Sequence, residues 1–195
     1  MVLAEPVRIT QHITRVFERL GIYYFIGGSL ASSLHGVPRA TQDVDIVADI
    51  RKEHIDPLIT ALKDEFYIDA DMVMEAIQRS TSFNVFHLVT MFKVDIFILK
   101  GDNISREEID RREQYPISND SSESLYLASA EDVILHKLHW YQKGGCVSER
   151  QWNDVLGVLQ VQSERLDHSY LIKGARQRGV LELLEKALKE FQSNE

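Results

Sequence analysis

The chain has 195 residues, 44% hydrophobic and 27% charged, with 22 Lys and Arg against 30 Asp and Glu for a formal charge of −8. These proportions belong to an ordinary globular protein with a core of its own, and they argue against two unrelated large domains or default disorder. The acidic balance disfavours non-specific nucleic-acid binding while leaving room for a local basic groove. The single cysteine, Cys146, excludes an internal disulfide, and no leader or bilayer-spanning run is visible, so a cytoplasmic location without a membrane partner is expected.

Val7, Ile9, Ile13, Val16, Phe17 and Leu20 recur at three- and four-residue spacing, which predicts an amphipathic helix closed by Gly21. Ile22 to Ile26 is continuously apolar and predicts a strand buried on both faces, ended by Gly27 and Gly28. Ser29 to His35 reads as a helix of one or two turns, stopped by Gly36 and Pro38, and Asp43 to Ala48 as a second strand. Ile55, Leu58, Ile59 and Leu62 give a helical stripe, followed by an edge strand near Phe66 and a short helix near Met72 to Gln78. Phe83 to Val89 and Lys93 to Leu99 predict a hairpin turning at Thr90, Met91 and Phe92. Residues 101–123, rich in charge and serine, read as an exposed helix and loop.

From Ser129 onward the pattern is helical. Ser129 and Ser148 stand as N-caps, Asp167 caps a third helix that Gly179 ends, and Val180, Leu184, Ala187, Leu188 and Phe191 form the last stripe. The expected fold is α/β of the α+β kind: a mixed-sheet core over residues 1–127 and a C-terminal helical unit over residues 128–195 packed beside it.

The chemistry concentrates in Gly27-Gly28-Ser29 and Asp43-Val44-Asp45. Side chains alternate along a strand, so Asp43 and Asp45 share a face, and neighbouring carboxylates repel unless a cation joins them. A glycine turn that opens a helix offers free amides and the positive end of a helix dipole, which suit phosphate. Asp95, between Val94 and Ile96, places a third acid in a buried-looking strand, where an unpaired charge is costly and a metal offsets the cost.

Gly28-Ser29, Asp43-Val44-Asp45 and Asp95, on those elements and at that spacing, resemble the nucleotidyltransferase superfamily with the polymerase-beta fold. The likeness covers most of the chain and is nearest to the minimal bacterial branch, which includes abortive-infection and toxin–antitoxin nucleotidyltransferases. It implies that Gly27, Gly28 and Ser29 hold the β- and γ-phosphates of a nucleoside triphosphate. It also implies that Asp43 and Asp45 are shared ligands of Mg²⁺ (or Mn²⁺), with Asp95 the ligand nearest the attacking hydroxyl and able to help deprotonate it. In the helical tail Lys137 and Asp154 match residues that approach the site in such relatives.

Each of the outlying residues also has an ordinary reading. Lys137 sits at the margin of the Ile134, Leu138 and Tyr141 stripe, where a lysine stem can cover apolar surface. Asp154 fits either a second buried face or an exposed pair with Arg150, and Arg39 either reaches a phosphate or stands in solvent. His136, His139, Cys146 and His168 lack the compact spacing of zinc sites, so no zinc is expected, and Trp140, Tyr141 and Trp152 read as packing between tail helices.

The expected activity is metal-dependent transfer of a nucleoside monophosphate from a triphosphate to an acceptor hydroxyl on a partner protein, an RNA such as tRNA, or a small molecule. A toxin–antitoxin setting accompanies that resemblance. Two other readings stand: a nucleotide-binding interaction module without turnover, and a sugar-nucleotide transferase, which leaves the Gly-Gly-Ser helix start unexplained.

Overall fold

The computed structural model describes residues 5–41, 43–117 and 124–193. The chain divides into two compact units: residues up to Gly27 together with Thr41–Leu127, and Gly28–Ala40 together with the chain from Ala128 onward. No helix among the described residues is long and apolar enough to cross a membrane.

The first unit is a seven-stranded mixed sheet with helices. The first helix, α1 (Glu5–Arg19), buries Ile9, Ile13, Val16 and Phe17, and Gly21 follows it with a φ of 70°. The strands are β1 (Tyr24–Ile26), β2 (Asp43–Ala48), β3 (Phe66–Tyr67), β4 (Ser82–His87), β5 (Lys93–Ile98), β6 (Glu113–Pro116) and β7 (Ser124–Leu127). They lie in the order β3-β4-β5-β2-β1-β7-β6. At the centre β2 runs parallel to β5 and antiparallel to β1. After the short helix α2 (Gly28–His35), which belongs to the second unit, α3 (Ile55–Leu62), α4 (Ala70–Arg79) and α5 (Asn103–Asp110) complete the first.

β-branched residues at alternate positions make β2 and β5 strands with one fully buried face. Val44, Ile46, Val94 and Ile96 have no exposed surface, whereas the intervening Asp43, Asp45, Lys93 and Asp95 are half-buried. That contrast leaves the polar side chains of both strands together on the other face.

One expectation for this unit changes. Within the region read as helix and loop, residues 113–116 form β6, an edge strand paired antiparallel with β7. All four of its side chains are exposed, so no apolar alternation marks it. Residues 118–123, also part of that expectation, lie outside the described residues.

The second unit is helical: α2 (Gly28–His35), α6 (Ala130–Lys143), α7 (Glu149–Gln162), α8 (His168–Arg178) and α9 (Leu181–Ser193). Its core includes Leu30, Ile134, Leu135, Leu138, Val155, Val158, Leu171 and Leu184. The caps form as the sequence implies, with Ser129 accepting from the Asp132 amide at 3.1 Å and Asp167 from the Tyr170 amide at 2.9 Å. The residue that follows α2 meets α7 at glycine: a Cβ on Gly36 would lie 2.7 Å from backbone atoms of Gly157 and Val158.

Candidate functional site

The sheet unit brings three carboxylates onto one face. Asp45 stands opposite Asp95 in the parallel register of β2 and β5, and Asp43 stands opposite Lys93. Asp95 is the more enclosed of the two outer acids, its side chain 16% exposed against 44% for Asp43. Thr41 Oγ1 donates to the Asp43 carbonyl at 2.7 Å, and the Gly27 amide donates to the Asp45 carbonyl at 2.9 Å. Gly27 therefore extends the β1–β2 pairing, and its amide is committed to that bond.

Sequence reasoning missed two residues here. Asn84 Nδ2 donates to Asp95 Oδ1 at 2.8 Å, from the position directly opposite Asp95 on β4. Lys93 Nζ donates to Asp95 Oδ2 at 2.6 Å and lies 3.9 Å from Asp43 Oδ2. The Lys93 ammonium is held above the usual lysine range, first by its hydrogen bond to Asp95 and further by the charges of Asp95, Asp43 and Asp45, against a smaller opposing effect of burial. Among the described residues no group of three or more His, Cys, Asp or Glu is drawn together closely enough to hold a metal ion. The acids are aligned by register, with an ammonium bonded to one of them and beside another. The period of two along β5 puts Lys93 on the face of Asp95, so this residue had a signal in the sequence. Asn84 had none, since its place depends on the hairpin register.

The helical unit gathers the remaining candidates. Gly28 begins α2 with a φ of 56°, a left-handed conformation that costs little only for glycine, and Ser29 follows in the first turn. Arg39 grips Asp154 in bidentate fashion, Nε to Oδ1 at 2.7 Å and Nη2 to Oδ2 at 2.8 Å. The same Nη2 donates to Ser29 Oγ at 2.7 Å. From α6, Lys137 Nζ donates to Asp154 Oδ2 at 2.7 Å, both side chains being almost completely buried.

Asp154 thus sits between two cations, and its partner is Arg39 rather than the adjacent-turn Arg150. Burial pushes its carboxyl up, but the hydrogen bonds and charges of Arg39 and Lys137 together outweigh burial and hold it below the usual carboxylate range. Such a group is a firm anchor and a poor proton acceptor at neutral pH. Of the tail aromatics, Tyr141 and Trp152 pack with ring centroids 5.2 Å apart, as expected. Trp140 does not: it is 55% exposed, with the Lys143 ammonium 5.1 Å from its ring centroid.

Solved nucleotidyltransferases share this architecture. An antigenic nucleotidyltransferase-like protein from Paracoccidioides brasiliensis aligns with a TM-score of 0.56 at 18% identity, over 96% of this chain and 94% of that one. ANT(2'')-Ia, in complex with adenylyl-2''-tobramycin, aligns with a TM-score of 0.55 at 12% identity, over 98% and 99% of the two chains. The lincosamide antibiotic adenylyltransferase LnuA, with lincomycin bound, gives 0.52 at 15% identity, over 82% of this chain and 98% of its own. No protein-family model matches the sequence, and no curated protein matches it significantly. At these identities the common property is the fold: the chain has the mixed α/β fold of nucleotidyltransferases.

Proposed function

We propose that the protein is a nucleotidyltransferase that moves a nucleoside monophosphate from a nucleoside triphosphate to an acceptor hydroxyl. The observation that carries this reading is the register-aligned Asp43, Asp45 and Asp95 on the half-buried face of β2 and β5, in a chain with this fold. Three carboxylates in register are by their chemistry a donor set for a hard divalent cation, Mg²⁺ or Mn²⁺, on which they would have to close further, and two of them already draw the Lys93 ammonium. Asp43, Asp45 and Asp95 would hold the metal, which when bound neutralises charge on the phosphates and favours departure of pyrophosphate.

In the transfer, the acceptor oxygen forms a bond to the α-phosphorus and the bond from that phosphorus to pyrophosphate breaks. Asp95, its orientation fixed through Oδ1 by Asn84, receives the hydroxyl proton. The start of α2 at Gly28 and Ser29 supplies amides and a dipole suited to phosphate oxygens. Asp154 acts as a positioning residue that fixes the cationic groups of Arg39 and Lys137, which offset the triphosphate charge. The acceptor is a hydroxyl-bearing small molecule, the end of a tRNA, or a partner protein such as the second member of a toxin–antitoxin pair.

The test is incubation with labelled nucleoside triphosphates, Mg²⁺ and members of each acceptor class. Label transfer with pyrophosphate release, lost in Asp45→Asn, is expected. Transfer undiminished in that variant overturns the assignment, and tight triphosphate binding without pyrophosphate release points instead to a silent nucleotide-binding module.

A further inference from the structure

We infer that Lys93 is a built-in counter-ion that occupies the place of the divalent cation among Asp43, Asp45 and Asp95 and is displaced when the metal binds. The inference rests on the metal-binding part of the proposed function and goes beyond it, because it makes metal loading a competition with a residue of the chain.

Three features point to it. Lys93 Nζ lies 2.6 Å from Asp95 Oδ2 and 3.9 Å from Asp43 Oδ2, so one ammonium serves acids on two adjacent strands. Its backbone is in register with Asp43, and the strand period puts its side chain on the face that carries all three acids. Asp95 accepts from Asn84 at Oδ1 and from Lys93 at Oδ2, so a metal that draws on Oδ2 competes with the ammonium for that oxygen, while Asn84 retains its grip on Oδ1.

The physical logic is electrostatic. Three carboxylates aligned on adjacent strands repel one another, and without a cation the local structure of β2 and β5 is strained by that repulsion. An internal ammonium relieves it and also raises the threshold for a divalent ion, which must displace a charged partner before it gains its own ligands. A triphosphate brings additional oxygen ligands to the ion, so metal binding becomes strongly coupled to nucleotide binding. The lysine thereby discourages the carboxylates from holding a metal when there is no nucleotide to act on.

The experiment compares wild type with Lys93→Met and Lys93→Gln, each stripped of metal, by titration with Mn²⁺ followed by electron paramagnetic resonance without nucleotide. The dissociation constant for Mn²⁺ is expected to fall by about tenfold or more in both variants, the size of effect one nearby unit charge produces. Thermal unfolding supplies a second reading: the metal-free variants should melt below wild type, and Mn²⁺ should raise their melting temperature by more than it raises that of wild type. Equal Mn²⁺ affinity in wild type and variants overturns the role of Lys93 while leaving the metal site in place. No Mn²⁺ binding by any of the proteins overturns the metal site and this inference together. If the variants lose Mn²⁺ affinity, Lys93 supports the site instead of competing for it, and the inference fails.

Discussion

Asp45 and Asp95 face each other across the parallel pair β2 and β5, and the side-chain amide of Asn84, directly opposite Asp95 on β4, donates to the Asp95 carboxylate. Parallel neighbours lie roughly 4.8 Å apart, so the two acids are close enough to repel each other and a cation between them would draw them together. Asn84 determines which way the Asp95 carboxylate turns. Replacing it with Leu, similar in shape but without the donor, should lower nucleotidyl transfer by about 10- to 100-fold, the usual effect of losing a partner that orients a metal ligand. Steady-state kinetics alongside a melting curve close to wild type would check this, and an unchanged rate would remove Asn84 from the site.

Asp154 ties pH to stability. Its folded-state carboxyl is held below the usual range, so the unfolded chain binds the proton more readily. The resulting stabilisation is complete above the unfolded value of about 4 and disappears as pH falls through the lower folded value. Asp154→Asn leaves the buried Lys137 and the half-buried Arg39 without their shared anion and should cost roughly 3–5 kcal/mol at neutral pH. The gap between variant and wild type should narrow below about pH 4, a trend that urea unfolding at several pH values would measure. A gap independent of pH down to the acid transition would mean that the Arg39 and Lys137 contacts do not set the charge of this carboxyl.

The two glycines flanking α2 should differ sharply. Gly36→Ala drives a methyl group into the α7 backbone at Gly157 and should lower stability by about 1–3 kcal/mol. Gly27→Ala meets no atom within 4 Å and needs no left-handed φ, so its effect should stay within about 0.5 kcal/mol. Thermal denaturation of the pair is sufficient. Similar losses would show that the α2–α7 approach is looser than the structure describes.

Much of this was visible in the sequence where local patterns carry it. Asp43 to Ala48 alternates apolar and polar side chains, and β2 has those very ends. The caps at Ser129, Ser148 and Asp167 also follow from the hydroxyl or carboxylate preceding each apolar stripe. Register was not visible: nothing local states that Asp45 pairs with Asp95 or Asn84 with Asp95, because both depend on how separated strands align. Arg39 and Asp154 are 115 positions apart, and a bond of that span has no local signature. Lys93 was visible by strand period but carried the wrong sign for a metal site, and that sign is what makes it informative.

The assignment of Gly28–Ala40 to the helical unit has a consequence for how this molecule can be divided. The polypeptide passes from one unit to the other at residues 27–28, 40–41 and 127–128, so no single cut separates them. His35 Nε2 bonds the Ala128 carbonyl at 2.8 Å, and the Gln162 side-chain amide donates to the His35 carbonyl at 2.8 Å, so α2 depends on chain nearly one hundred residues or more away. A fragment ending at Leu127 would keep the three acids but orphan the helix that follows Gly27. Shuffling, truncation and fusion in this protein must therefore treat residues 28–40 and the tail as one heritable piece, interleaved with the sheet.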